Sequence, residues 1–299
     1  MTNILGKSEK RFQVIIHIIL IFMALAAILP LWVLVAGSVT GEQELILEGY
    51  SLMPKTFSLD AYKYLFYKAS EIFRAYGITV FITVVGTAAS LFITPLLAYP
   101  LSRKDFKARN IFSFLVFFTM LFNGGIVPSY IMWTRIFHLK NTITALILPG
   151  LLMNGFNVIL MKNYFAQNIP AELIEAAKMD GAGEFKIFFK MILPLSLPIM
   201  ATVGLFVGIG YWNDWTNGLY YVTDAKLYSL QNLLNRILQD VQFLNSSTMT
   251  NAGVAATTQM PSVSIRMAIS VVGILPIMVL YPFFQKYFVK GALVGSVKG

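Results

Sequence analysis

The sequence predicts an all-α membrane protein with six transmembrane helices and both termini in the cytoplasm. Three observations predict it. Hydrophobic residues make up 57% of the 299-residue chain and charged ones only 12%, with a mean hydropathy of +0.69. A water-soluble domain of this length carries about a quarter charged residues and could not cover its surface from such a mixture. Six apolar runs each approach the ~20 residues that a helix rising about 1.5 Å per residue needs to cross a hydrocarbon core ~30 Å thick. The Lys and Arg residues, finally, collect on alternate connections between those runs.

In chain order, a tail over residues 1–13 carries Lys7, Lys10 and Arg11 and leads into the first run, 14–36. Ala36-Gly37-Ser38 resembles a signal-peptide cleavage site, but a run of 23 residues exceeds the ~7–15 of a signal peptide, so it reads as a retained helix. An extracytoplasmic segment, 37–77, contains the amphipathic stretch "SLMPKTFSLDAYKYLF", which predicts partial helix at the membrane surface. A five-helix core, 78–284, holds the runs Ile78–Leu101, Ile111–Trp133, Ile143–Met161, Met191–Tyr211 and Met267–Phe284. Pro30, Pro95, Gly125, Pro128 and Pro276 fall inside runs, where neighbouring helices can satisfy the freed backbone. A cytoplasmic loop, 162–190, and an extracytoplasmic segment, 212–265, interrupt the core. In the latter, "LYSLQNLLNRILQD" has near-helical apolar spacing, and the Ser/Thr/Asn/Ala-rich residues 245–262 read as loop. A cytoplasmic tail, 285–299, ends the chain. No repeat of 20–50 residues and no separate soluble domain is visible.

With the N-terminus inside, the cytoplasmic connections hold fourteen basic and six acidic residues, a net +8, whereas the outside nets +1. That is the asymmetry of the positive-inside rule. The overall +9 is therefore an orientation signal and not the footprint of a nucleic acid.

Several function classes are excluded. The chain has no cysteine, which removes disulfides, thiol nucleophiles and thiolate metal sites, and its two histidines, His17 and His138, lie far apart. The six runs contain no Asp, Glu, Lys or Arg. An intramembrane charge costs at least ~2.5–3.5 kcal/mol and is kept where it relays protons, binds ions or senses voltage. Its absence argues against a proton-coupled carrier or pump, though not against a sodium site made of backbone carbonyls. Gly6-Lys7-Ser8 lacks the spacing and preceding strand of a phosphate loop.

One short polar island, "EAAKMDGAGEFKIFF" over 175–189, stands out in the cytoplasmic loop. Pro170 suits a first helical turn, Glu172 the positive helix end, and Gly181 a stop after the last turn, with a second short helix over Glu184–Lys190. A plain connection needs only a few residues. The small Ala171, Ala176 and Ala177 would let another surface approach, with the Glu175 carboxylate between them.

The stretch "EAAKMDGAGEFKIFFKMILP" resembles the EAA signature of binding-protein-dependent ABC importer permeases. Glu175, Ala176, Ala177, Gly181, Leu193 and Pro194 match that signature, and Met191 stands where Ile is usual. "TVVGTAASLFITPLLAYPLSR", "YWNDWTNGLYYVTDAKLYSLQ" and the ending "FQKYFVKGALVGSVKG" resemble the carbohydrate branch, the half similar to the second maltose permease subunit. "FNGGIVPSY" resembles a complex-oligosaccharide subgroup.

The resemblance implies a type I ABC importer permease fold in the bacterial cell membrane, working by alternating access. It implies a heterodimer with a second permease, two ATPase subunits that bind the ATP and Mg, and an external sugar-binding protein. This chain itself would bind no cofactor. Glu175, Ala176, Ala177, Asp180 and Gly181 would form the coupling helix on the ATPase, and Gly291, Gly295 and Gly299 a second contact. Asn123, Asn154, Asn157, Trp212, Asn213, Asp214 and Trp215 are candidates for the sugar pathway, as planar amide and aromatic partners for hydroxyls. Helix–helix hydrogen bonds and interface anchoring are the alternative roles for these Asn and Trp residues. Gly204 and Gly208 suit tight helix packing. An ABC permease for a non-sugar solute, an ion-coupled carrier and a non-transporting scaffold are the other readings.

Overall fold

A computed structural model of the protein describes the backbone of residues 7–250 and 263–296 and the side chains of 11–243 and 263–279. Helix α1 (Lys7–Ser38) continues through Pro30. After it come α2 (Glu42–Leu47), α3 (Asp60–Tyr67) and α4 (Ala69–Ser102), the last continuing through Pro95 and Pro100. At 34 residues α4 is roughly 50 Å long and begins well before the expected Ile78.

The next three apolar runs do not form uninterrupted helices. The third breaks into α5 (Arg109–Leu121) and α6 (Ile126–Ile131), which continues as a π turn over Met132–Ile136; the halves are bent by 111°. Asn123-Gly124-Gly125 causes the break. Gly125 sits at φ +86°, and its N–H is taken by Asn123 Oδ1 at 2.8 Å instead of a helical carbonyl. The fourth run gives α7 (Thr144–Ile147) and α8 (Gly155–Asn168), separated at Pro149 and Gly150, whose φ is +71°. Asn154 Oδ1 accepts the Phe156 N–H at 2.9 Å and starts α8, which then passes the expected end at Met161.

Beyond it lie α9 (Ala171–Met179), α10 (Glu184–Ile187), a π turn over Phe188–Ile192, α11 (Leu193–Leu195) and α12 (Leu197–Trp212). The fifth run is thus bent by 79° at Ser196. Pro194 and Pro198 remove two helical donors, and the Ser196 hydroxyl bonds back to Ile192 O at 2.6 Å. The chain closes with α13 (Thr216–Tyr221), α14 (Leu230–Thr250) and α15 (Val263–Ser296). Residues 245–250, expected as loop, are the end of α14, and 251–262 lie outside the described residues. Among the described residues, two helices are long and apolar enough to cross a membrane, Arg11–Ser38 and Ala69–Ser102, or four if each bent pair is one crossing.

The chain forms two units. In the first, residues up to Ala69 with Arg236–Pro276, two carboxylates organise the links between helices. Glu42 accepts from the Val263 and Ser264 amides at 2.8 and 2.9 Å, placing negative charge at the start of α15. Glu44 accepts from the Thr56 hydroxyl at 2.6 Å and from the amides of Lys55 and Thr56 at 3.0 and 2.7 Å. Those donors, the Thr56 hydroxyl foremost, hold its carboxyl below the usual range. A depressed folded value means the contribution is complete above the ordinary carboxylate range and is lost as pH falls below that range and through the lowered folded value. The Lys55 and Thr56 amides are therefore expected to lose hydrogen-exchange protection on acidification in the wild type. In Glu44→Gln they should be weakly protected at every pH.

The second unit, Ser70–Asn235 with Ile277 onward, packs α4, α7, α8 and α12 around the fully buried Ile82, Ala98, Leu146, Val158, Met161, Val203 and Tyr211. Gly86 of α4 seats the Tyr211 ring so closely that an added Cβ would lie 2.3 Å from it. The Tyr211 hydroxyl meanwhile donates to Ile147 O at 2.8 Å, so the ring cannot retreat without losing that bond. Gly86→Val should destabilise this unit by about 1–3 kcal/mol, the usual range for overpacking, and lower the melting temperature in detergent.

Candidate docking site and solute groove

The polar island folds as helix, glycine, helix. Pro170, at φ −60°, is the residue before α9 and not in its first turn as expected; the first helical residue is Ala171. The end of α9 is a two-bond cap in which the Ala182 amide donates to Ala177 O at 2.9 Å and the Gly181 amide to Lys178 O at 3.0 Å. Gly181 supplies the left-handed φ of +75° that this cap requires.

Ile174 and Ala177 share the inward face, three residues apart, and both are buried. This corrects the expectation that Ala176 and Ala177 both lie open to a partner: only Ala176 does. Glu175, Asp180 and Gly181 are exposed. Sequence reading passed over three exposed apolar side chains on the same hairpin, Leu173, Met179 and Phe185, of which Met179 is 88% and Phe185 77% exposed. A signal was present for Met179. At 100° per residue it stands about 200° from Ala177, on the face opposite the buried stripe.

Behind the hairpin, charges of alternating sign close a ring. Arg103, one residue past the end of α4, binds Asp105 through Nε at 2.9 Å and through Nη2, while its Nη1 donates to the Tyr99 hydroxyl at 2.7 Å and reaches Glu184 at 3.5 Å. The Tyr99 hydroxyl donates to Glu184 Oε2 at 3.2 Å. Lys178 of α9 completes the ring, at 2.8 Å from Glu184 and 3.5 Å from Asp105. Lys178 is the main reason the Glu184 carboxyl is held below the usual range, and Arg103 does the same for Asp105. A hollow of about 370 Å³ adjoins the ring, walled by Leu96, Pro100, Phe106, Phe185 and Phe188.

A groove of about 510 Å³ runs between α4 and α12, lined by Thr83, Thr87, Leu91, Gly204, Gly208 and Trp212 among others. The Thr83 and Thr87 hydroxyls are buried in it without a hydrogen-bond partner among the described residues. Of the seven pathway candidates only Trp212 lines this groove, its ring 6.3 Å from that of Tyr76. Asn123 and Asn154 sit at the two helix breaks, each spending its side-chain oxygen on the local turn. Asn157 is buried in α8. Asn213 is exposed and bonds back to Ile209 O at 3.1 Å, and Trp215 is 43% exposed. Asp214 accepts from the Thr216 and Asn217 amides with Oδ1; its Oδ2 is buried, and that burial raises its proton affinity. Gly291 and Gly295 lie on the backbone of α15, and Gly299 lies outside the described residues.

Long apolar helices, two bent helix pairs and an exposed helix–Gly–helix hairpin are the features of a helical membrane protein. Residues 90–293 match the family described as binding-protein-dependent transport system inner membrane component, and the chain belongs to that family. It is 45% identical to protein LplC of Bacillus subtilis (strain 168), over 91% of this chain and 90% of LplC. It is 42% identical to the polygalacturonan/rhamnogalacturonan transport system permease protein YtcP of the same organism, over 97% of this chain and 99% of YtcP. Among solved structures it is similar to a chain of a bacterial ABC transporter involved in the import of the acidic polysaccharide alginate. The TM-score there is 0.76 at 30% identity, covering 96% of this chain and 100% of that one.

Proposed function

We propose that the chain is the membrane-spanning subunit of an ATP-driven importer of oligosaccharides in the bacterial cell membrane. The observation that carries this reading is the family match together with the hairpin it contains: a glycine-capped helix pair on which Glu175, Ala176, Met179 and Phe185 are all exposed. The chain crosses the membrane six times with both ends inside, each bent pair serving as one crossing. It forms a heterodimer with a second permease. Two ATPase subunits bind ATP and Mg and dock on the hairpin, with Gly291, Gly295 and Gly299 giving a second contact. An external binding protein delivers the sugar.

This subunit makes and breaks no bonds. Closure of the ATPases on ATP moves the docked hairpins, and the spans exchange one accessible side for the other. The names of the relatives support a carbohydrate cargo, and those that name polygalacturonan and alginate make uronic-acid oligomers the first to test. The groove of α4 and α12 offers hydroxyls at Thr83 and Thr87 and the Trp212 ring as the sugar-facing surface, with Asn157, Asn213, Asp214 and Trp215 as further candidates and Asn123 and Asn154 shaping the turns nearby in sequence.

Cells carrying the operating complex should take up labelled oligogalacturonides or oligoalginates while ATP lasts and stop when it is depleted. Uptake that outlives ATP and collapses with the sodium gradient would instead identify a secondary carrier.

A further inference from the structure

We propose that Arg103 is the joint that makes α4 move with the docking hairpin, a positioning role that rests on the reading of α9 as the helix held by the ATPase. The hairpin is joined through the chain to α8 on one side and to α11 and α12 on the other. Its motion reaches α4 only through non-covalent contacts. The ring of Arg103, Asp105, Lys178 and Glu184 supplies the directional ones, because Arg103 and Asp105 lie just past the end of α4 and Lys178 and Glu184 on the hairpin.

Arg103 suits this role in a way that lysine would not. Its planar fork engages Asp105 with one side and turns Nη1 to Tyr99 and Glu184 with the other, fixing orientation as well as separation. Its side chain is only 15% exposed, so water screens it less than its partners. Tyr99 extends the tie inward: its ring is buried and packs against Phe188 at 5.5 Å and Phe165 at 6.5 Å. Tyr99 and Leu101 of α4 share one buried cluster with Ile174, Ala177 and Ile187 of the hairpin, and the hollow walled by Leu96, Phe106 and Phe185 lies beside it, so the ring adds directional bonds to packing that alone would let the surfaces slide. Half-exposed ion pairs add little to stability one by one. The ring's effect is on transmission, where several bonds must hold a single geometry.

The chain has no native cysteine, so two introduced ones are its sole thiol labelling sites, and the chain is labelled before assembly with its partners. Nitroxides on Lys104→Cys and Lys186→Cys, both exposed positions, report the separation of α4 from the hairpin in the assembled complex. With the ring intact, one narrow distance distribution is expected with and without Mg–ATP. Arg103→Gln and Glu184→Gln should each broaden it on ATP addition and lower ATP-dependent uptake about fivefold, the scale of a typical coupling between sites.

The double variant should lose no more than either single one, because both remove the same joint. Arg103→Lys should recover part of the loss, keeping the charge without the fork. Co-purification of the ATPase at wild-type yield shows that the variants fold and assemble. An unchanged distance distribution in the Gln variants, or losses that multiply in the double variant, overturns the joint. Failure of the underlying reading is separable: Glu175→Arg would then also leave ATPase binding and uptake intact, whereas failure of the joint alone leaves Glu175→Arg damaging.

Discussion

Glu175→Arg is expected to abolish ATP-dependent uptake while the protein still reaches the membrane in normal amount. Glu175 is exposed on α9 and makes no hydrogen bond or ion pair within the chain among the described residues, so nothing in the fold depends on it. On α9 its neighbours are Ala176 and, one turn on, Met179, which presents apolar surface to water, as Phe185 does elsewhere on the hairpin. A basic partner on the ATPase would gain a charge-assisted bond that apolar neighbours shield. Reversing the charge places two like charges together in that setting. Disrupting a close interfacial charge pair costs about 2–5 kcal/mol, and ~1.4 kcal/mol is a tenfold change in affinity, so binding should fall by roughly 30-fold or more. Uptake and ATPase retention are measured on the same membranes. Wild-type uptake in this variant would falsify the coupling role of the hairpin.

Gly181→Val should reduce uptake nearly as far, by a different route. A Cβ at Gly181 meets nothing within 4 Å, so the substitution causes no clash. The obstacle is the backbone: φ +75° is the left-handed region, where an ordinary residue pays about 1–2 kcal/mol and a β-branched one is a genuine outlier. Valine would unwind the cap that joins the Ala182 amide to Ala177 O and swing α10 out of register with α9. Gly181→Asn is the control, since asparagine tolerates this conformation and should keep most uptake. Equal activity in the Val and Asn variants would show that the turn angle is irrelevant to transport.

The hydrocarbon pattern made the helical membrane class legible, because composition and run length report directly on the solvent a chain needs. The breaks were harder to see. Asn123-Gly124-Gly125 and Pro149-Gly150 are visible as letters, yet membrane helices often pass through such residues, as α1 does at Pro30 and α4 at Pro95. What decides is whether a glycine adopts positive φ and a side chain captures the freed amide, and apolar averaging is blind to both. Gly181 was predictable because a glycine after a helical run that carries Lys178 in its last turn has few other uses.

Ala177 was misplaced because a motif treats its two alanines alike, whereas helical rotation buries one and exposes the other. The charge ring was beyond sequence reading altogether. Arg103 and Glu184 are 81 residues apart, and in the charge count each was only a vote on orientation. Met179 and Phe185 went unremarked because apolar residues are unremarkable in so apolar a chain; only their exposure singles them out.

On the proposed function, the hairpin receives an ATPase and the chain works beside a second permease. The most direct test is to tag the protein, extract it from its own membrane in mild detergent, and identify by mass spectrometry what accompanies it. The prediction is an ABC ATPase and a second helical permease in wild-type material, with the ATPase lost in Glu175→Arg. Recovery of the chain alone or with copies of itself, unchanged by Glu175→Arg, would contradict it.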